Sequence, residues 1–146
     1  MKIAIVASMK FSKEMIDSSK YLNDKGHTTI LPIGVENHIN DTSLKEKEDS
    51  NTKIKGNLIK GYYKKIQDSD ALLVLNYDKN NVPNYIGGNT FIEMAFACVL
   101  NKPIYLLNPI PEISYRSEIE AMKPIVLNGD LSMVGDIGLE PMTSSV

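Results

Sequence analysis

Residues 69–107 decide the fold of this chain, and they read SDALLVLNYDKNNVPNYIGGNTFIEMAFACVLNKPIYLL. An apolar run at 71–75 leads through a turn-rich loop into an apolar segment at 90–100, and a second apolar run follows at 103–107. Short apolar runs joined by a helical segment are typical of parallel strands linked by a crossover helix. The stretch therefore predicts strand, helix and strand of a parallel sheet.

The N-terminal part of the chain predicts the same arrangement. Residues 2–7 (KIAIVA) form a short β-rich run, and an amphipathic helix is predicted over 12–24. Gly26 supplies a helix stop, and a second strand is predicted over 27–33. Strand, helix and strand in this order form a βαβ unit.

Three weaker elements complete the predicted sheet and its helices. Apolar residues at helical spacing over 54–66 predict a helix, a short helix is predicted over 112–122, and a fifth strand over 124–127. Asp70, directly before the third strand, is predicted to orient the local backbone. The chain is thus predicted to be an α/β protein with a central, mostly parallel sheet of five strands.

Residues 1–131 are predicted to form a single domain. Within it, 35–52 is polar and of mixed charge, which predicts a mobile loop. The tail at 132–146 has little pattern, and we interpret it as a frayed end or an oligomer contact.

Composition excludes several classes of function. The 146 residues suit one domain, and 42% hydrophobic and 23% charged residues with a net charge of -2 are average globular values. No basic field indicates a nucleic-acid partner, and no apolar run is long enough for a membrane span, so a cytoplasmic protein is expected. His27 and His38 are too isolated for a metal site, and Cys98 is predicted to lie in the core.

The candidate site lies where the predicted strands end, since ligands of open parallel sheets bind at the carboxyl ends of the strands. Ser8 and Lys10 follow the first strand, and they could hold a phosphate or a sugar hydroxyl with the helix amides. Asn76 follows the third strand. Asn108 follows the fourth, and its amide could hydrogen-bond a base or a sugar.

The loop before the central helix carries the strongest candidates. Gly87 and Gly88 allow a ligand to approach the backbone beside helix amides, with Asn89 directly after them. Glu93 is the lone charge of an otherwise apolar helix. The helix dipole favours its ionised form, burial opposes it, and an ionised, poorly hydrated carboxylate is a competent nucleophile.

A structural role for Glu93 explains the same residues. Thr90 and Glu93 fit a capping box, in which the glutamate bonds back to the start of its own helix. From local sequence the two roles are equally supported.

Four stretches resemble the nucleoside 2-deoxyribosyltransferase-like superfamily, which includes deoxynucleoside 5'-monophosphate N-glycosidases. They are KIAIVAS (2–8), SDALLVLN (69–76), GGNTFIEMAFA (87–97) and NKPIYLLNP (101–109). The resemblance implies a flavodoxin-like three-layer sandwich, usually a homodimer. It also implies that Glu93 attacks the anomeric carbon of a deoxyribose, and that the loop from Ser8 onward contacts sugar or phosphate.

The chain departs from the superfamily at two positions. Gly87 stands where the transferases commonly carry an aspartate that contacts the base. Tyr62 stands where they tend to have an acidic residue.

Two functions from different classes are therefore considered. The first is an N-glycosidase or glycosyltransferase that acts on a small-molecule nucleoside or nucleotide, needs no cofactor and works as a homodimer or higher homo-oligomer; cleavage of an NAD-like dinucleotide is a narrower variant. The alternative is a noncatalytic nucleotide-binding or signalling module in which Glu93 only caps the helix. Motifs for dinucleotide and triphosphate binding are missing after the first strand, as are the acidic residues of a receiver domain and an FMN-binding turn.

Overall fold

Five parallel strands form the central sheet of the computed structural model, which describes residues 1–35 and 52–135. They are β1 (Lys2–Val6), β2 (Thr28–Ile30), β3 (Ala71–Val74), β4 (Ile104–Leu106) and β5 (Ile125–Val126). Their order is β2-β1-β3-β4-β5, and every neighbouring pair is parallel. This is the strand order of flavodoxin-like folds, so the predicted α/β class and its five-stranded sheet are confirmed.

Helices cover both faces of the sheet and complete three layers. They are α1 (Ser12–Asp24), α2 (Thr52–Gln67), α3 (Gly88–Val99) and α4 (Arg116–Ala121), with 3-10 turns at Met9–Phe11 and Leu131–Met133. One apolar cluster joins α1 to the first face of the sheet, and a second joins α2, α3 and α4 to the other. The two clusters alternate along each strand, as side chains of a strand do.

Local sequence explains where α1 ends and where β3 begins. Gly26 follows α1 with a φ of 95°, and its N–H donates to the carbonyl of Asn23 at 3.0 Å. The Asp70 carboxylate accepts from the N–H of Lys2 at 2.7 Å, while its own N–H donates to the Lys2 carbonyl at 2.7 Å. Asp70 thus aligns β3 with β1, which confirms its predicted backbone role.

The prediction that Cys98 lies in the core is wrong, because its side chain is exposed. The buried stripe of α3 runs through Thr90, Met94 and Ala97. Cys98 lies beside this stripe in the last turn, where no element covers it. An apolar helix does not reveal from its sequence which of its faces is buried.

Several elements are shorter than predicted. The helix predicted over 112–122 begins only at Arg116, and β2 ends at Ile30, two residues before Pro32, which has no N–H to donate to a sheet. The predicted loop at 35–52 falls almost entirely outside the described residues. So does most of the predicted tail, although Val134 within it is buried in the first apolar cluster.

No helix within the described parts of the chain is long and apolar enough to cross a membrane.

Candidate functional site

Glu93 lies in the second turn of α3, not in the first. The helix begins at Gly88, with Gly87 as its N-cap, and the N–H of Phe91 donates to the Gly87 carbonyl at 2.9 Å. No side chain caps this end. The capping box predicted for Thr90 and Glu93 is therefore wrong, because it requires Thr90 as the N-cap and the observed N-cap, Gly87, lies three residues earlier.

Glu93 points into a cleft between α2 and α3, at the carboxyl ends of β1 and β2. Apolar side chains make up most of its described lining, and the polar side chains among these residues are the carboxyl of Glu93, one amide and one phenol. The lining residues are Ala7, Met9, Pro32, Ile33, Leu58, Ile59, Tyr62, Asn89, Ile92 and Glu93. The cleft lies where ligands of parallel sheets bind.

The carboxyl of Glu93 has an environment that favours its neutral form. It is partly buried, and it makes no hydrogen bond or ion pair with any side chain in 1–35 or 56–135. Burial raises its pKa from 4.5 to about 8. The predicted stabilisation of the ionised form by the helix dipole does not prevail, since that effect is confined to the first turn.

Tyr62 of α2 is the second titratable group on the cleft wall. It is 5% exposed, and its hydroxyl donates to the carbonyl of Ile5 at 2.6 Å, with the carbonyl of Ile30 at 3.3 Å. Burial, and after it the negative charge of Glu93, hold the pKa of Tyr62 well above its usual value. The phenol is therefore a permanent donor that ties α2 to the ends of β1 and β2.

Asn76 and Asn108 bind each other instead of facing the cleft. The side-chain oxygen of Asn76 accepts from the N–H of Asn108 at 2.9 Å, and the Asn108 amide donates to the Asn76 carbonyl at 3.0 Å. The amide nitrogen of Asn76 donates to the carbonyls of Asn108 at 3.0 Å and Pro109 at 3.1 Å. These bonds join the ends of β3 and β4, and Asn76 is fully buried.

The loop after β1 is held by a lysine from a different loop. Lys79 donates to the hydroxyl of Ser8 at 2.7 Å, and its ammonium lies 5.8 Å from the ring centre of Tyr85. Ser8 also accepts from the backbone N–H of Lys10 at 3.4 Å, whereas the Lys10 side chain is exposed. The two residues predicted as a phosphate or sugar cradle thus stand outside the lining of the cleft.

The glycine pair and Asn89 are closer to the cleft. Asn89 lines it, and Gly88 opens α3 with free space where a Cβ would stand. A Cβ at Gly87 would meet the ring of Tyr85 at 3.2 Å. Of the predicted site residues, the structure therefore brings Glu93 and Asn89 into one cleft with Gly88 beside them.

Residues 1–35 and 52–135 contain no group of three or more histidine, cysteine, aspartate or glutamate side chains that could hold a metal ion.

Sequence reasoning missed three residues of the site region. Tyr62 was noticed only as a departure from an acidic position, and Pro32 and Lys79 were not considered. Pro32 carried a usable signal, because a proline after a strand leaves the neighbouring strand without a donor. Lys79 carried none, since its partner Ser8 is 71 residues away.

The fold and this cleft define a flavodoxin-like protein with a carboxyl group at the ligand-binding edge of its sheet. A solved structure of a 2-deoxyribosyltransferase from the psychrotolerant bacterium Bacillus psychrosaccharolyticus is similar to the chain, with a TM-score of 0.61 over 97% of this chain and 96% of that one. The two sequences are 18% identical, a level at which the likeness shows the fold. No protein-family model matches the chain, and no curated protein matches it.

Proposed function

We propose that the chain cleaves the N-glycosidic bond of a nucleoside or nucleotide, with Glu93 as nucleophile and with water or a second base as acceptor. One observation carries the proposal: among the described residues, Glu93 is the lone carboxyl that lines an apolar cleft at the carboxyl ends of β1 and β2. The fold shared with a 2-deoxyribosyltransferase supports the same chemistry.

The reaction needs the ionised form of Glu93. A carboxylate oxygen attacks the anomeric carbon, and the base leaves with the bonding electron pair and takes a proton from water. Attack of water on the glycosyl ester then releases the sugar, attack of a second base forms a new nucleoside, and either step regenerates the carboxylate. Because burial raises the pKa of Glu93 to about 8, its carboxyl is mostly protonated at pH 7, and the nucleophilic form increases as pH rises.

The cleft suits the ring systems of such a substrate. Its apolar walls favour a base and the carbon face of a sugar, and Asn89 offers both a donor and an acceptor. The nucleoside or nucleotide partner, the homodimer and the cytoplasmic location stay predictions.

A noncatalytic nucleotide-binding module is the second candidate, and one observation favours it. With a pKa of about 8, Glu93 is mostly neutral at pH 7, and a neutral carboxyl can donate and accept hydrogen bonds with the edge of a base. The capping role predicted for Glu93 in such a module is excluded by the start of α3 at Gly88.

The experiment that decides between the two is a chromatographic screen for free base. Wild type, Glu93→Gln and the matched control Glu118→Gln, at an exposed position of α4, are incubated with nucleosides, deoxynucleotides and NAD. Base release by wild type and the control, but not by Glu93→Gln, supports the glycosyl reaction. Release that persists in Glu93→Gln contradicts Glu93 as nucleophile, and binding without release by all three proteins supports the module.

The pH profile of release gives a second test. If Glu93 is the nucleophile, kcat/KM rises with pH and levels off above about 8, because the ionised fraction rises through that pKa. A rate that falls over this range contradicts the proposal, since it would require the protonated form.

A further inference from the structure

The ladder between β1 and β2 lacks one donor at the edge of the cleft. It begins where the N–H of Thr28 donates to the carbonyl of Met1 at 3.0 Å, and parallel pairing then uses every second residue of each chain. Continued in this register, the row places residue 32 opposite the carbonyl of Ile5. Residue 32 is a proline and has no N–H, so the ladder offers that carbonyl no donor from β2.

The Tyr62 hydroxyl supplies the missing donor. It lies 2.6 Å from the carbonyl oxygen of Ile5, a short and strong hydrogen bond, and 3.3 Å from that of Ile30. A side chain of α2 thus satisfies a strand carbonyl that the proline leaves unpaired. A buried carbonyl without a donor destabilises the fold or recruits a water molecule.

Pro32 and Tyr62 both line the cleft that Glu93 faces. The hydrogen bond from Tyr62 to the Ile5 carbonyl therefore lies at the wall of the candidate site. We propose that Tyr62 is a positioning residue, which closes the open end of the β1–β2 ladder and thereby keeps water away from the carboxyl of Glu93. Its catalytic consequence rests on the function proposed above. The effect of Tyr62 on the hydration of Glu93 is independent of that function.

Removal of the Tyr62 hydroxyl should change the hydration of Glu93 and no electrostatic contact, because no other described lining residue carries a charge. Met9 after β1 and Ile33 after β2 are apolar, and Asn89 of α3 is neutral. Among the described lining residues Tyr62 is the one titratable side chain besides Glu93, and it stays protonated because burial and the charge of Glu93 raise its pKa. Tyr62→Phe therefore alters no charge in the cleft.

The first test compares Tyr62→Phe with Tyr63→Phe, its neighbour on α2. The ring of Tyr63 packs edge-on against Phe96 at 5.0 Å, and its hydroxyl makes no hydrogen bond with any described residue. The titration of Glu93 is followed by carbon-13 NMR of its carboxyl. Water drawn to the Ile5 carbonyl should lower the pKa of Glu93 by about one unit in Tyr62→Phe and leave it unchanged in Tyr63→Phe. An unchanged titration in Tyr62→Phe overturns the proposal.

The second test is a rescue by the backbone. Pro32→Ala returns an N–H to the position opposite Ile5, so Tyr62→Phe should lower the urea midpoint less in that background than in wild type. Equal losses in the two backgrounds overturn the assignment of the hydroxyl as the ladder's donor. Both measurements work on a protein without turnover, so a failure of the proposed reaction is distinguishable from a failure of this inference.

Where turnover is found, Tyr62→Phe should move the rise of kcat with pH about one unit lower and leave KM within about twofold, because it lowers the pKa of Glu93 and leaves the binding walls in place. Loss of stability with kcat and its pH profile unchanged overturns the positioning role.

Discussion

The cleft around Glu93 and the pair of asparagines at the ends of β3 and β4 lie along the same edge of the sheet, yet they treat their polar groups in opposite ways. Every polar side-chain atom of Asn76 has a partner within the pair or its backbone. Glu93 has no partner among the described residues, and burial raises its pKa to about 8. The fold thus satisfies the polar groups of the asparagine pair, whereas none of the described side chains in 1–35 or 56–135 satisfies the carboxyl of Glu93.

This difference teaches how to separate ligand groups from structural ones at a strand end. Asn76 and Asn108 were predicted to bind substrate because they directly follow strands, and that position is shared by residues that only join loops. Burial with satisfied hydrogen bonds marks the structural case. Burial without a partner costs stability, and in a cleft it marks a group retained for function.

The largest expected effect is on activity at Glu93. Glu93→Gln should lower base release by about a thousandfold or more, because an amide oxygen is a poor nucleophile, and it should leave the fold intact. The rate is measured by chromatography under single-turnover conditions, and folding by circular dichroism. If the rate of base release falls less than tenfold, the unpartnered carboxyl of Glu93 has no chemical role, and its difference from the asparagine pair does not mark a functional group.

The next effect is on stability at the asparagine pair. Asn76→Leu should cost about 3 kcal/mol, because it leaves the N–H of Asn108 and two carbonyls of the same loop without partners. The matched control is Asn89→Leu, at an exposed position with no described hydrogen bond, where less than about 1 kcal/mol is expected. Urea unfolding measures both, and equal costs would contradict the structural role of Asn76.

The titration of Glu93 should make the stability of the fold depend on pH, with an effect smaller than that of Asn76→Leu. Its pKa is about 8 in the folded chain and 4.5 as a reference, so the folded state binds the extra proton between these values and its stability falls as pH rises through this window. Each unit of difference between the two pKa values corresponds to about 1.4 kcal/mol of folding stability. Water in the open cleft reduces the total loss of stability to roughly 2 kcal/mol.

Glu93→Gln removes this one contribution and leaves those of all other groups in place. Relative to wild type, the variant should therefore gain stability from pH 4.5 to pH 8 and no more above it. Urea midpoints at pH 5, 7 and 8.5 measure the gain. Parallel pH curves for the two proteins would show that Glu93 titrates at its ordinary value.

Much of the fold was predictable from the sequence because its signals are local. The apolar runs at 2–7 and 71–75, the helix stop at Gly26 and the periodicity of α1 each depend on neighbouring residues. The isolated charge of Glu93 in an apolar helix is local in the same sense. It identified the carboxyl, although the start of the helix was misplaced by two residues and the capping alternative survived for that reason.

The rest depends on contacts that a sequence pattern does not show. Asn76 and Asn108 meet across 32 residues, and Tyr62 reaches Ile5 across 57. Each residue alone has an ordinary local explanation, a turn for the asparagines and a helix face for the tyrosine. Only the sheet brings the partners together and decides which polar groups remain free.

The smallest stability effects are expected at Gly87 and Gly88, which lie beside the cleft, and the two glycines should respond differently to substitution by alanine. Gly88→Ala meets nothing within 4 Å, so it should raise stability by about 0.5 kcal/mol through lower chain entropy and better helix propensity. Gly87→Ala meets the Tyr85 ring at 3.2 Å and should cost up to about 1 kcal/mol. If the glycines allow a ligand to approach the start of α3, Gly88→Ala should raise KM severalfold despite its gain in stability. An unchanged KM would mean that the second glycine serves the helix start alone, and that the ligand site is confined to the walls around Glu93.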